Sequence, residues 1–304
     1  MVTESSKLTV VIPTCGRPAR LAECLRRIRS NVEIIVADDS RDDETRTMID
    51  REFPGVRWMR GPGRGPASNR NHGAREATGD WLLFVDDDCL PETGWTGAMM
   101  GRIEAGGVDV IEGKTVCPDL SDDPFEERVE NLAGGVLWSC NLAIRRELFE
   151  RLGGFDEAFL EAGGEDMELA WRIRKAGLRV AFEPDAVVLH PVRKIGWRGL
   201  WRRTWMSRWI VLYDLRTGEG SGVRGIGALA RRAGIELVRL LRETVKGWLA
   251  MRADNWKRTL FGSLYRWVMF PFVLPYLLYW EIRFRQSSNA PTMGGANHPN
   301  PDDL

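Results

Sequence analysis

The stretch Trp81-Leu82-Leu83-Phe84-Val85-Asp86-Asp87-Asp88, "WLLFVDDD", decides how this chain is read. Five apolar residues in a row suit a short strand buried on both faces. Three carboxylates then follow without a gap, and their mutual repulsion grows wherever water is scarce. A turn or a helix cap needs one acid, not three, so the cluster asks for cationic company.

Working outward, "LTVVIP" before it is another β-branched run, followed by Pro18 and by Leu21, Leu25 and Ile28 at helical spacing. "VEIIVADDS" reads as a second buried strand, "RDDETRTMIDREF" as a helix and "VRWM" as a third strand. Residues 67–77 read as a helix ended near Gly79, "WLLFV" as the fourth strand and "VDVIEG" as the fifth. Strands alternating with helices imply parallel βαβ units in a sheet covered on both faces. Ligands of such sheets lie beyond the carboxyl ends of the strands. Two strands end there in acids: Asp38 and Asp39 in "VADDS", and Asp86, Asp87 and Asp88. Asp39-Ser40 also fits an ordinary cap.

In extended chain, side chains alternate sides. Asp86 and Asp88 are therefore expected to point one way and Asp87 the other. Two carboxylates so placed form half of a hard-cation site, because Mg²⁺ takes one or two carboxylates together with phosphate oxygens and water.

The ordered motifs resemble the inverting glycosyltransferases of family 2, which have the GT-A fold. The resemblance rests on "VVIPTCGRP", "VADDS", "SNRNHGAREATGD", the Asp86-Asp87-Asp88 triplet, "GGVLWSCNLAIRRELFERLGGFDEAF" and "GGEDMELAWRIRKAG", and covers about residues 7–192. It implies a Rossmann-like α/β domain with a mixed, mainly parallel sheet flanked by helices. It implies that Pro13, Thr14 and Arg17 line the pocket for a nucleotide base and that Asp39 accepts a hydrogen bond from that base. Arg70 would face the base or the phosphates, and Asp87 belongs to the same donor-binding set. Asp86 would contact the ribose or a metal, and Asp88 would ligate the metal, Mn²⁺ or Mg²⁺. Asp166 would be the general base, with Glu165 beside it in acceptor binding. Asn69 departs from the alanine more usual before the arginine.

Several of these residues have a plainer reading alongside. Glu165, Asp166 and Glu168 open a helix, where acids suit the positive end of its dipole. His190 ends the apolar run "AVVLHP", as a structural histidine or as the late metal ligand that some GT-A enzymes use. Trp138 fits core packing as well as stacking on an acceptor sugar.

Charge divides the chain. The whole carries a formal net charge of +0, yet residues 193–286 hold 19 Lys/Arg against 6 Asp/Glu. The remainder holds 24 against 37. The expected domains are a catalytic body over 1–192, a basic, tryptophan-rich helical region over 193–286 and a disordered tail over 287–304. Trp197, Trp201, Trp205 and Trp209 fall four apart, as one drifting stripe on a helix, among Arg198, Arg202, Arg203 and Arg208. Tryptophan beside arginine suits a water–lipid boundary with anionic headgroups. The apolar run Trp267–Trp280 is short for a helix that spans a bilayer, and Pro271 and Pro275 would kink it, so it reads as monotopic or re-entrant. Nucleic acid is disfavoured as a partner, because the cations are interleaved with bulky apolar residues and no nucleic-acid motif stands out.

Five cysteines without a CxxC pair fit reduced thiols, and the N-terminus lacks the apolar segment of a secretory signal. The expectation is therefore a metal-dependent glycosyltransferase on the cytoplasmic side of a membrane, peripheral or monotopic. It would take a nucleotide-sugar donor, a UDP-sugar first, and a glycan or lipid-linked acceptor. The competing expectations are a sugar-phosphate nucleotidyltransferase and a non-catalytic, membrane-bound nucleotide-sugar-binding protein.

Overall fold

The computed structural model describes residues 7–28, 31–118, 122–218, 226–253 and 255–288. These fall into two units: 7–118 with 128–191, and 122–127 with 192–288. Most of the tail expected to be disordered lies outside the described residues.

The first unit is an α/β sandwich. Its order is β1 (Leu8–Thr14), α1 (Pro18–Arg27), β2 (Glu33–Asp38), α2 (Glu44–Glu52), β3 (Arg57–Arg60) and α3 (Pro66–Arg75). Then come β4 (Trp81–Phe84), β5 (Leu90–Pro91), α4 (Trp95–Glu104) and β6 (Val110–Val116). After a crossing into the second unit, the chain returns with a 3₁₀ turn (Ser139–Asn141), β8 (Leu142–Arg145), α5 (Arg146–Arg151), α6 (Glu165–Lys175) and β9 (Val180–Leu189). Eight strands form one sheet in the order β3-β2-β1-β4-β8-β6-β9-β5. β3, β2, β1 and β4 run parallel, as the alternating pattern implies. β8 is antiparallel to both its neighbours, so the sheet is mixed. The segment "NLAIRR" hides this strand, because a four-residue strand with three consecutive buried residues shows neither alternation nor helical period. "VDVIEG" is accordingly not one more strand of a parallel series: β6 pairs antiparallel with β8 and parallel with β9.

Alternation along the strands builds two cores. Val10 and Ile12 of β1 and Trp81 and Leu83 of β4 face one layer with Leu21, Leu25, Ile49 and Met99. Val11, Leu82 and Phe84 face the other with Ala74, Phe149, Leu169 and Ile173. Each fully buried large side chain contributes about 2–3 kcal/mol. Phe84 also meets Phe149 and Phe155 at ring-centroid distances of 5.2 and 5.3 Å. This packing anchors β4 up to the residue before the acids. The parallel register places the ends of β1, β2 and β4 on one edge, where Asp39 N–H donates to Thr14 O (2.9 Å) and Gly61 N–H to Asp38 O (2.8 Å).

The second unit is mostly helical: α7 (Gly196–Met206), α8 (Arg208–Arg216), α9 (Ile226–Leu249) and α10 (Trp256–Ser288), with a small ribbon of β7 (Glu126–Glu127) and β10 (Arg193–Lys194). The tryptophan stripe is divided, because the helix expected across it breaks at Ser207. α10 runs on through Pro271 and Pro275 as one helix of 33 residues rather than turning back at them. Among the described residues, no helix is long and apolar enough to cross a membrane.

Candidate active site

The three acids after β4 take three directions, and each finds a guanidinium. Asp86 Oδ1 accepts from Arg70 Nη2 at 2.7 Å. Asp87, fully buried, accepts from Thr14 Oγ1 at 2.6 Å and pairs with Arg17 at 2.7 Å. Asp88 accepts from Arg17 (3.3 Å) and Arg20 (3.4 Å). Cations of the same unit therefore hold the cluster together. Burial pushes the Asp87 carboxyl up to about 7, the charges of Asp88 and Asp86 adding to it and Arg17 and Thr14 opposing.

Strand alternation does not sort the three acids, because β4 ends at Phe84: Asp87 and Asp88 share Arg17, while Asp86 and Asp88 take different partners. Asp86 is held by Arg70. Asp88 instead gathers with Cys89 and His190, whose ligand atoms all lie within 4.8 Å of one another. His190 is placed by the end of β9, where its backbone N–H donates to Val116 O (2.8 Å). Its Nδ1 stands 3.2 Å from Pro191 O. A carbonyl can only accept, so this contact suits a proton on Nδ1, and it leaves Nε2 turned toward Asp88 Oδ1, 4.0 Å away. A carboxylate and an imidazole nitrogen so placed are a donor set for a divalent cation, the carboxylate oxygen suiting Mn²⁺ or Mg²⁺ and the imidazole favouring the transition metal of the two. The Cys89 thiol adds little, since hydrogen bonding with Cys140 and burial raise its pKa well above the usual range and keep it protonated.

At the neighbouring strand ends, Pro13 and Thr14 are buried, and the Thr14 hydroxyl is committed to Asp87. Arg17, expected at the base pocket, spans Asp87 and Asp88. Of the two acids at the end of β2, Asp38 is spent on the turn, accepting from Ser40 N (2.9 Å) and Trp58 Nε1 (3.1 Å). Asp39 is half-buried, with Oδ1 accepting from Gly63 N at 2.8 Å. Only glycine fits at Gly61, where a Cβ would stand 2.1 Å from Asp39 Oδ1. Asn69 ties the ends of β2 and β1 together, its Nδ2 bonding Ala37 O (2.8 Å) and Thr14 O (3.3 Å).

Arg70 links the acid corner to α6. Besides Asp86 it reaches Glu165 Oε1 at 3.2 Å and lies over the Phe155 ring. Burial works against its charge, but Asp86, Asp166 and Glu165 together raise its pKa. Glu165 is buried and also accepts from Gly163 N at 2.7 Å, so it faces the protein more than an acceptor. Asp166 follows it. Burial pushes its carboxyl up to about 7, with Glu165 and Asp86 adding, while Arg70 and the nearby Ser139 hydroxyl oppose. A carboxylate tuned near neutrality is suited to take and release protons.

Trp138 is half-buried and packs on the core, immediately before the 3₁₀ turn that carries Ser139. The loop leading to it is held by Glu112 of β6. Its buried carboxylate accepts from the backbone N–H groups of Gly135 (2.5 Å), Val136 (2.8 Å) and Leu137. Leu137 is the one non-glycine described residue with positive φ, +59°. Glu112, Ser139, Arg20 and Cys89 escape sequence reasoning, since one polar residue in an apolar strand, or one arginine in a helix, carries no spacing signal.

Residues 9–153 match the description "Glycosyl transferase family 2", and residues 126–190 match "N-terminal domain of galactosyltransferase". A pre-mycofactocin glycosyltransferase of Mycobacterium tuberculosis is 28% identical over 210 residues, covering 61% of this chain and 43% of that protein. The chain thus spans less than half the length of that relative. The glycosyltransferase AglE of Haloferax volcanii is 24% identical over 210 residues, covering 62% of this chain and 68% of that protein. Among solved structures, a mannosyltransferase from Pyrobaculum calidifontis in complex with GDP-Man and Mn²⁺ superposes with a TM-score of 0.55. The match is 18% identical and covers 94% of this chain and 89% of that one, a likeness of fold.

Proposed function

We propose, from the match of residues 9–153 to glycosyl transferase family 2, that this chain is an inverting, metal-dependent glycosyltransferase of that family. It moves a sugar from a nucleotide-sugar donor, a UDP-sugar first, to a hydroxyl of a glycan or lipid-linked acceptor. One observation carries this reading: Arg70 joins the acid corner that suits a charged donor to the helix start that bears Asp166.

Asp39 would accept from an N–H of the donor base, and Asp86 would face the ribose. Asp88 and His190 would hold Mn²⁺ or Mg²⁺, whose charge offsets the negative charge on a departing diphosphate. Asp166 would take the proton of the acceptor hydroxyl while that oxygen bonds to the anomeric carbon. The bond from that carbon to the diphosphate breaks in the same displacement, and its electron pair leaves with the nucleotide. Arg70 keeps Asp86 and Glu165 neutralised, so that Asp166 is not driven still further from ionisation.

Calorimetry tests the reading. UDP should bind the pure protein with Mn²⁺ and lose at least about tenfold in affinity with chelator or in His190→Gln. A panel of UDP- and GDP-sugars then ranks donors by metal-dependent hydrolysis. Identical UDP binding with and without chelator would remove the metal-dependent donor site.

A further inference from the structure

We propose that the outward faces of α9 and α10 form a docking surface for an anionic lipid bilayer, lying along its interface. This concerns the helical unit alone and does not depend on the catalytic reading.

The observation behind it is an inverted polarity. One face of α9 buries ion pairs: Arg232 is 2% exposed and bonds Asp214 of α8 and Glu281 of α10, both also buried. Arg239 joins the same cluster through Asp214 and Glu236. A row of apolar side chains points outward. Leu237, Val238, Leu241, Val245 and Trp248 recur at three- and four-residue steps and are 42–64% exposed. α10 repeats the pattern. Leu260, Leu264, Val268, Phe272, Tyr279 and Ile282 lie 40–65% exposed along one face, while Ser263 and Glu281 are buried. In water, a helix that hides its ion pairs and shows its leucines is the wrong way round.

The two apolar stripes meet. Trp267 Nε1 donates to Thr244 Oγ1 at 3.2 Å. Thr244 shares a helix face with Leu241 and Trp248, and Trp267 shares one with Leu264. The stripe on α10 from residue 260 to residue 282 alone runs about 33 Å. With its counterpart on α9 it exceeds the apolar patch a soluble monomer usually leaves bare. The ionic cluster accounts for why the faces stay out: partnered buried charges cannot rotate to water without abandoning one another.

Charge selects the occupant. Arg231, Arg242 and Lys246 are exposed and follow one edge of the α9 stripe, within a region of 19 Lys/Arg against 6 Asp/Glu. A second copy would bring the same cations against these. Anionic headgroups complement them while the stripe enters the acyl boundary. Trp248, Trp267 and Tyr279 have the ring-plus-polar-tip character that suits that depth. With no described helix able to cross a membrane, the helices are placed in the plane.

Flotation of the full chain with vesicles tests this. The protein should float with phosphatidylglycerol–phosphatidylcholine vesicles and much less with pure phosphatidylcholine. Arg242→Gln and Lys246→Gln should weaken binding roughly fivefold per cation. Leu264→Glu with Val268→Glu should abolish it, with an unchanged circular dichroism spectrum and unchanged UDP binding. No flotation of the wild-type chain overturns the proposal. So does a concentration-dependent dimer, dissociated by Leu264→Glu, in a chain that ignores vesicles; the face would then belong to a second copy.

Discussion

If Asp166 is the base, turnover must follow its ionisation. Its carboxyl sits at about 7, against an ordinary value of 3.8, because burial and the charges of Glu165 and Asp86 outweigh Arg70 and Ser139. The base works only when deprotonated, so the rate should rise with pH through that value. A single group at about 7 is about one-tenth ionised at pH 6 and about nine-tenths at pH 8. Turnover at saturating donor, acceptor and Mn²⁺ should therefore rise roughly tenfold across that window. Asp166→Asn should lower turnover by about 10²- to 10⁴-fold, remove the limb and leave the UDP affinity unchanged. Asp87 titrates in the same range, and Asp166→Asn retains it, so a limb that survives the substitution belongs to Asp87. Stability supplies the folding control. A carboxyl raised in the folded state stabilises the fold below its unfolded pKa, and that contribution is lost as pH rises through about 7. Asp166→Asn should accordingly melt no lower than wild type at pH 8. A flat rate between pH 6 and pH 8, or a variant within tenfold of wild type, would refute the assignment.

Arg70→Met should destabilise the fold by about 3–5 kcal/mol in urea titrations, because it leaves the buried Glu165 and the half-buried Asp86 without their shared cation. Arg70→Lys should recover part of the loss, and a Met variant within about 1 kcal/mol of wild type would deny Arg70 this role. Glu112→Leu should cost about 3 kcal/mol or more, since three backbone N–H groups lose their acceptor. Hydrogen exchange at Val136 and Leu137 should speed up in that variant; unchanged protection there would show that the loop is held by something else.

The motifs legible in sequence were those with local periodicity. β1, β2 and β4 announce themselves as apolar runs, and the edge they share follows from βαβ connection rules. The acids at their ends were legible for the same reason. What was not legible is which partner each acid takes. Asp38 and Asp39 read alike, yet one closes a turn with Ser40 and Trp58 while the other stands half-open beside Gly61. Asp86 and Asp88 share a strand parity, yet Arg70 claims the first and His190 approaches the second.

By itself, then, the order of residues determined the alternating α/β architecture, the gathering of acids at the carboxyl edge and the split between an acidic body and a basic helical region. These depend on neighbours a few positions apart, or on composition. Only the tertiary structure decided that β8 enters the sheet antiparallel, that α9 turns Arg232 inward, and that Arg70 holds Asp86 while also reaching Glu165, 95 positions further along the chain. Such pairings are set by which surfaces meet when the cores close. A lone arginine or glutamate has no period from which to read its partner.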